Sequence, residues 1–280
     1  MHEKELQEKW QLLTIKDNFI FSKVMESAPD LCRRLLEKIL HVKIKNISYP
    51  EREKVLQERL DGKGIRLDVY VEDKDTNRSF DIEMQVTDFA YLAKRMRYYQ
   101  GLIDMDKLKT GQHYGNLGES YIIFICPFDK FKRGKHIYTF NETCEECPDI
   151  LLGDGATKIF LSTKGTADDV DADVKAFLDY VESGIVSGAF ATEFDKAVEK
   201  VKYNERTVKE FMTYEMALLE SRMEGEIRGR EEGKIEGAEN IAIKMLNKGV
   251  SFEQIQEFTE LSIQRIKELA QKFEDKKEDV

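Results

Sequence analysis

Apolar and polar residues alternate with a period of two in two neighbouring stretches. In the first, Ile65, Leu67, Val69 and Val71 are interleaved with Arg66, Asp68, Tyr70 and Glu72. In the second, Phe80, Ile82, Met84 and Val86 are interleaved with Asp81, Glu83 and Gln85. Alternation in β-branched and aromatic residues predicts two half-buried strands. The polar segment EDKDTN between them closes the pair as a hairpin. With Lys74 to Asn77 as the loop, Val71 faces Phe80, Val69 faces Ile82 and Leu67 faces Met84. The same register sets Asp68 opposite Glu83 and Arg66 opposite Gln85.

Helical spacing governs the flanks. IKDNFIFSKVMES carries Ile15, Phe19, Val24 and Met25, and Asp17 is suited to cap the adjoining helix. Pro29-Asp30 opens a second helix, PDLCRRLLEKIL. KIKNISY reads as a strand or lead-in, and GKG at 62–64 as a turn. DFAYLAKRMRYYQGLIDMDKL predicts a helix capped by Asp88, with Gly111 near its end. YIIFICPF is apolar on both faces, as a covered central strand requires, and KHIYTFN and TKIFLST read as further strands. Helices, then strands, then helices predict a mixed α/β domain.

The expected organisation is a core over 1–165, a helical region over 166–223, a Gly/Glu-rich linker or helix over 224–239 and a small helix-turn-helix-like segment over 240–280. In the third region Gly225, Gly229, Gly233 and Gly237 recur every four residues among charges, which favours a solvated linker. In the fourth, Ser251 with Gln254 forms a capping box and Ser262 caps a last helix. Gln264, Arg265 and Lys267 are candidates to face a nucleic-acid groove, but acids outnumber bases there, and a dimerisation or docking unit is the alternative.

The 280 residues are 41% hydrophobic and 35% charged, with a net charge of −10. A uniformly acidic chain repels nucleic acid, so such binding requires local basic patches. Lys94, Arg95 and Arg97 form one, and Lys130, Lys132, Arg133 and Lys135 another. The four cysteines, at 32, 126, 144 and 147, are sparse, and the opening MHEKELQEKW is polar, unlike a secretory signal. The longest apolar stretch is too short to span a bilayer. The expectation is a cytoplasmic protein with reduced thiols and no membrane partner. CEEC at 144–147 supplies half of a zinc site at most.

Opposed side chains on antiparallel strands have Cβ atoms about 4.5–5.5 Å apart, and like charges there repel. Asp68 and Glu83 therefore admit two readings: a solvated polar face, or a pair that holds a divalent cation together with waters and substrate phosphates.

Asp68 followed by Glu83-Met84-Gln85 resembles the core of the PD-(D/E)XK nuclease superfamily. DNFIFSKVM, RLDVYV, FDIEMQV, RMRYYQGLI, LKTGQHY, YIIFICPF and IYTF, with VKYNERTVKEFM and the glycine run further on, occur in the order seen in its recombination-promoting nuclease and transposase branch. The resemblance covers nearly the whole chain. It implies a metal-dependent DNA endonuclease, a Mg-dependent deoxyribonuclease with Mg²⁺ or Mn²⁺ as cofactor, acting in recombination, mobile-element biology or defence against foreign DNA. It implies Asp68, Glu83 and Gln85 as catalytic residues. Asp68, Glu83 and the Met84 carbonyl would hold the metal, and Arg66, Arg95 and Tyr98 would line DNA. Two departures stand out. Ser22-Lys23 occupies a Phe-Lys-Lys position, so Lys23 receives no catalytic role, and Gln85 stands where many such nucleases place Lys. The alternative is a non-catalytic DNA- or protein-interaction protein that retains the nuclease fold. Self-association through the C-terminal helices is expected under either.

Overall fold

Three helices open the chain, α1 (Glu3–Leu12), α2 (Asn18–Ser27) and α3 (Pro29–Leu40), in a computed structural model that describes residues 3–45, 47–48, 51–56 and 65–278. Strands β1 (Glu51–Leu56), β2 (Ile65–Asp73) and β3 (Arg78–Met84) come next. Helix α4 (Leu92–Lys107) leads to β4 (Ser120–Cys126), β5 (Ile137–Phe140) and β6 (Ala156–Ser162). Helices α5 (Ala172–Ser183), α6 (Gly188–Lys202), α7 (Glu205–Leu246), α8 (Phe252–Thr259) and α9 (Ile263–Glu278) complete it. The turn expected at Gly62–Gly64 and part of KIKNISY lie outside the described residues; Ile47 makes an isolated bridge to Asp73.

The six strands lie in the order β1-β2-β3-β4-β6-β5. β1, β2 and β3 are antiparallel, β3, β4 and β6 are parallel, and β5 runs antiparallel to β6. A parallel step from β3 to β4 needs a crossover, and α4 supplies it. The result is a mixed sheet with flanking helices and a helical C-terminal region, the α/β class that the sequence pattern predicts.

The hairpin has the expected register: Val69 pairs with Ile82, Val71 with Phe80 and Asp73 with Arg78, leaving Lys74 to Asn77 as the loop. Its burial corrects the half-buried expectation. Asp68, Tyr70, Asp81 and Glu83 are buried like the apolar residues that alternate with them. β2 and β3 sit inside the sheet, with α2 packed over β1 to β3 and α4 over β1 and β4. Tyr70 joins Met96, Tyr99 and Phe124 in the core beneath α4, and its hydroxyl is bonded to Glu72 and Ser79. The face that reads as polar is therefore interior.

Asp17 caps α2, its Oδ1 accepting from the amides of Phe19 at 2.9 Å and Ile20 at 3.4 Å. Lys23 pairs with Glu26 and Glu210. Trp10 is buried against Phe19 and Phe211, with ring centroids 6.2 and 5.0 Å away, and its indole N–H donates to the Lys202 carbonyl. Helix α4 begins at Leu92 behind Tyr91, with no side-chain cap. Asp88, the expected cap, instead accepts the Lys130 ammonium from the loop after β4.

The chain divides into two compact units, Met1–Phe211 and Met212–Val280. The first includes α5 and α6, which bury Phe177, Leu178, Phe190 and Phe194. In the second, Ala242, Ile255, Ile266 and Leu269 form a small core, and Ser251 and Ser262 accept from the amides of Gln254 and Arg265. Residues 224–239, where a linker was the expectation, are helical within α7. Each glycine costs about 1 kcal/mol, but the Glu, Arg, Lys and Ala around them are strong helix formers. Among the described residues no helix is long and apolar enough to cross a membrane.

Gly118 fixes how β4 enters beside the hairpin. Asn77 donates its side-chain amide to the Asn116 carbonyl at 2.9 Å, and the Ser79 amide donates to Glu119 at the same distance. A Cβ on Gly118 would lie 1.6 Å from the Asn77 carbonyl oxygen, whereas one on Gly101, inside α4, meets nothing within 4 Å. Gly118→Ala is expected to lower stability by about 2 kcal/mol through overpacking, and Gly101→Ala to raise it by about 0.5–1 kcal/mol. Urea denaturation of the two variants beside the parent measures both signs.

Candidate active site

The ladder between β2 and β3 changes character at one point. The amide of Asp68 donates to Glu83 Oε1 at 2.8 Å, and the amide of Met84 donates to Asp68 Oδ2 at 3.2 Å. Two carboxylates thus stand in for the carbonyls of an ordinary antiparallel pair, each accepting from the opposite strand. On its far side β3 stays in register with β4, and the Gln85 amide donates to the Ile125 carbonyl. The protein fixes both acids through its own backbone.

Arg95 reaches down from α4. Its Nη2 donates to Glu83 Oε2 at 2.8 Å and its Nη1 to Gln85 Oε1 at 2.7 Å, so one guanidinium holds both side chains. The aromatic rings of Tyr99 and Phe124 lie 5.1 and 5.0 Å from its central carbon. Gln85 also donates its amide to the Thr87 carbonyl. Asn18, at the start of α2, lies 3.4 Å from Asp68 Oδ1.

A third acid completes the cluster. Asp81 is fully buried, and no donor among the described residues reaches either of its oxygens. Burial, followed by the charges of Glu83 and Asp68, pushes its carboxyl well above the usual carboxylate range. Asp68 is also raised well above that range by burial and then by Glu83, against the Met84 amide, Arg95 and Arg66. Glu83 is raised by burial, with the Asp68 amide and Arg95 opposing.

An open hollow of about 480 Å³ adjoins this cluster through Arg95. Arg66, Tyr91, Lys94, Tyr98 and Tyr99 also line it. The structure thus brings Asp68, Glu83, Gln85 and Arg95 into one bonded group, and Arg66, Arg95 and Tyr98 into one wall. Arg95 belongs to both. Asn18 and Asp81 escaped the sequence reading although both lie in segments that it singled out. Asp81 had a usable signal: it precedes Glu83 by two residues in a strand and so shares its face.

Residues 18–146 match the family model described as PD-(D/E)XK nuclease family transposase. No curated protein and no solved structure matches the chain significantly. The PD-(D/E)XK match covers all of the elements that build the cluster, from Asn18 through β4, and indicates a nuclease-type function. PD-(D/E)XK nucleases typically use divalent metals. Among the described residues no group of three or more His, Cys, Asp and Glu is arranged to hold a metal. A hard cation needs only one or two carboxylates, supplemented by carbonyl, water and phosphate oxygens; Asp68, Glu83 and the Met84 peptide carry oxygens of that kind, and all four carboxyl oxygens accept bonds from the protein itself.

Asp81→Asn removes a buried acid while keeping its shape. It is expected to stabilise the protein at neutral pH by about 1–3 kcal/mol. An acid raised in the folded state weakens the fold as the pH climbs from the ordinary carboxylate range through the folded value. The gain should therefore be smallest within the ordinary carboxylate range and grow as the pH rises above it. Melting temperatures of parent and variant measured upward from that range check it; a gap that does not change with pH would show that the Asp81 carboxyl is not raised.

Proposed function

We propose that the chain is a metal-dependent DNA endonuclease that hydrolyses phosphodiester bonds, acting in recombination, mobile-element biology or defence against foreign DNA. The observation that carries this reading is the interlocked pair Asp68 and Glu83, buried and joined through Arg95 to Gln85 beside a basic hollow. Asp68 and Glu83 hold Mg²⁺ or Mn²⁺ together with the Met84 carbonyl. When bound, the ion supplies Lewis-acid polarisation of a phosphoryl oxygen and lowers the pKa of a coordinated water.

The remaining work falls to side chains. Gln85 orients the attacking water or a phosphate oxygen with its amide, but has no charge to offer where related nucleases place Lys. Arg95 holds Gln85 in position and presents positive charge at the rim. Arg66 steadies the substrate backbone, and Tyr98 lines the hollow that both share with Arg95. Asn18 holds the Asp68 carboxylate from α2.

One observation favours the rival reading, a non-catalytic interaction protein on the same fold: both oxygens of Glu83 already accept bonds from the protein itself. In the second unit Arg265 is committed to Glu239 and Glu268, which suits an assembly role for the C-terminal helices better than phosphate binding.

Supercoiled plasmid incubated with Mg²⁺, Mn²⁺ or EDTA separates the two. Nicking with metal and none with EDTA is expected, and Asp68→Asn should reduce it by about 100-fold or more while calorimetry shows loss of Mn²⁺ binding. Gln85→Ala should lower turnover with Mn²⁺ affinity retained. A parent protein that binds no metal and leaves plasmid intact would establish the non-catalytic reading.

A further inference from the structure

The hollow beside the carboxylates combines two kinds of wall. Arg66, Lys94 and Arg95 give it positive charge, while Tyr91 and Tyr98 give it aromatic faces. These rings are not core residues. Tyr91 is 54% exposed and Tyr98 42%, whereas Tyr99 beside them is 8% exposed and Phe124 beneath them is fully buried. Phe89 is also exposed, and its ring stacks on Tyr91 with centroids 5.1 Å apart and planes 9° apart. The segment carrying this pair is held in place, because the Lys130 ammonium is bonded to the Asp88 carboxylate and to the Phe89 carbonyl.

A cation-lined hollow suits a phosphate backbone of any form. Exposed aromatic faces are more selective. In a continuous duplex the faces of the bases are covered by their neighbours, so an aromatic ring finds no partner there. Unpaired nucleotides offer their faces freely, and stacking platforms alternating with basic groups are the means by which proteins hold single strands. Among the described residues Arg95 alone is common to the hollow and the acid cluster, and its bonds to Glu83 and Gln85 put a strand held here next to both.

We infer that the substrate is single-stranded DNA, with bases stacked on Tyr98 and on the Phe89–Tyr91 platform and phosphates held by Arg66 and Lys94. This names the substrate class of the nuclease proposed above and rests on that reading for the cleavage of the bound strand. Tyr91, Phe89 and Lys94 become specificity-determining residues that do not take part in the chemistry.

The test is fluorescence anisotropy with the full chain in EDTA, so that binding is read without cleavage. The probes are a labelled DNA single strand of about 20 nucleotides, its blunt duplex and the RNA single strand of the same sequence. The single DNA strand should bind at least about 10-fold tighter than the duplex. Tyr91→Ala and Tyr98→Ala should each weaken single-strand binding by about 5- to 100-fold, the range expected for loss of one stacked base. Duplex binding should change by less than about 2-fold, and Tyr91→Phe should restore the parent value, since it keeps the ring. Equal or tighter binding of duplex overturns the inference, as does an unchanged Tyr91→Ala or tighter binding of RNA. The two readings fail separately. Plasmid nicking with duplex preference removes the single-strand inference and leaves the nuclease, while single-strand binding that depends on Tyr91, with neither plasmid nor the bound single strand cleaved in Mg²⁺, removes the nuclease and supports the groove.

Discussion

The pairing of backbone amides with carboxyl groups, in place of carbonyls, between β2 and β3 is the constraint around which the site is built. The Asp68 amide is satisfied by Glu83 and the Met84 amide by Asp68. Neither acid can turn away without orphaning a buried N–H, which is costly in a covered sheet. The acids are thereby held by strand geometry instead of by loops. Placement on rigid elements is what a site needs when small errors in position lower the rate.

That arrangement works against stability. Of the four acids buried in this hairpin, Asp68, Asp73, Asp81 and Glu83, all but Asp73 belong to one cluster, and Arg95 is bonded to Glu83. A sequence selected for stability alone would place apolar residues on this face, as it does on the opposite face with Val69, Phe80 and Ile82. The departure from good local design falls at the candidate site, where such departures are expected.

Much of this was legible in the sequence. Alternation gave the faces of the hairpin, and a four-residue loop over Lys74 to Asn77 gave the register that sets Val69 against Ile82 and Val71 against Phe80; a shift of two residues keeps the same faces, so alternation alone did not choose between them. The same register paired Asp68 with Glu83. What stayed hidden came from elements distant in the chain. Burial of the polar face depends on α4 and the strands on either side, which alternation within a hairpin cannot report. The aim of Arg95 at both Glu83 and Gln85 depends on how α4 crosses the sheet, so it read only as a member of a basic helix face. Asp88 looked like a helix cap because local spacing allows it, and Lys130, more than forty residues on, claimed it instead. The glycine run looked like a linker because propensity is a weak guide when strong helix formers surround each glycine.

The burial of Trp10 has a spectroscopic consequence. It is the single tryptophan of the chain, it lies in the first unit, and α1, α2, the end of α6 and the start of α7 converge on it through Phe19, Lys202 and Phe211. Indole emission therefore reports on the first unit, shifting to the red when water reaches the ring. Far-ultraviolet circular dichroism sums over both units. Comparing the two signals during unfolding distinguishes one cooperative transition from two.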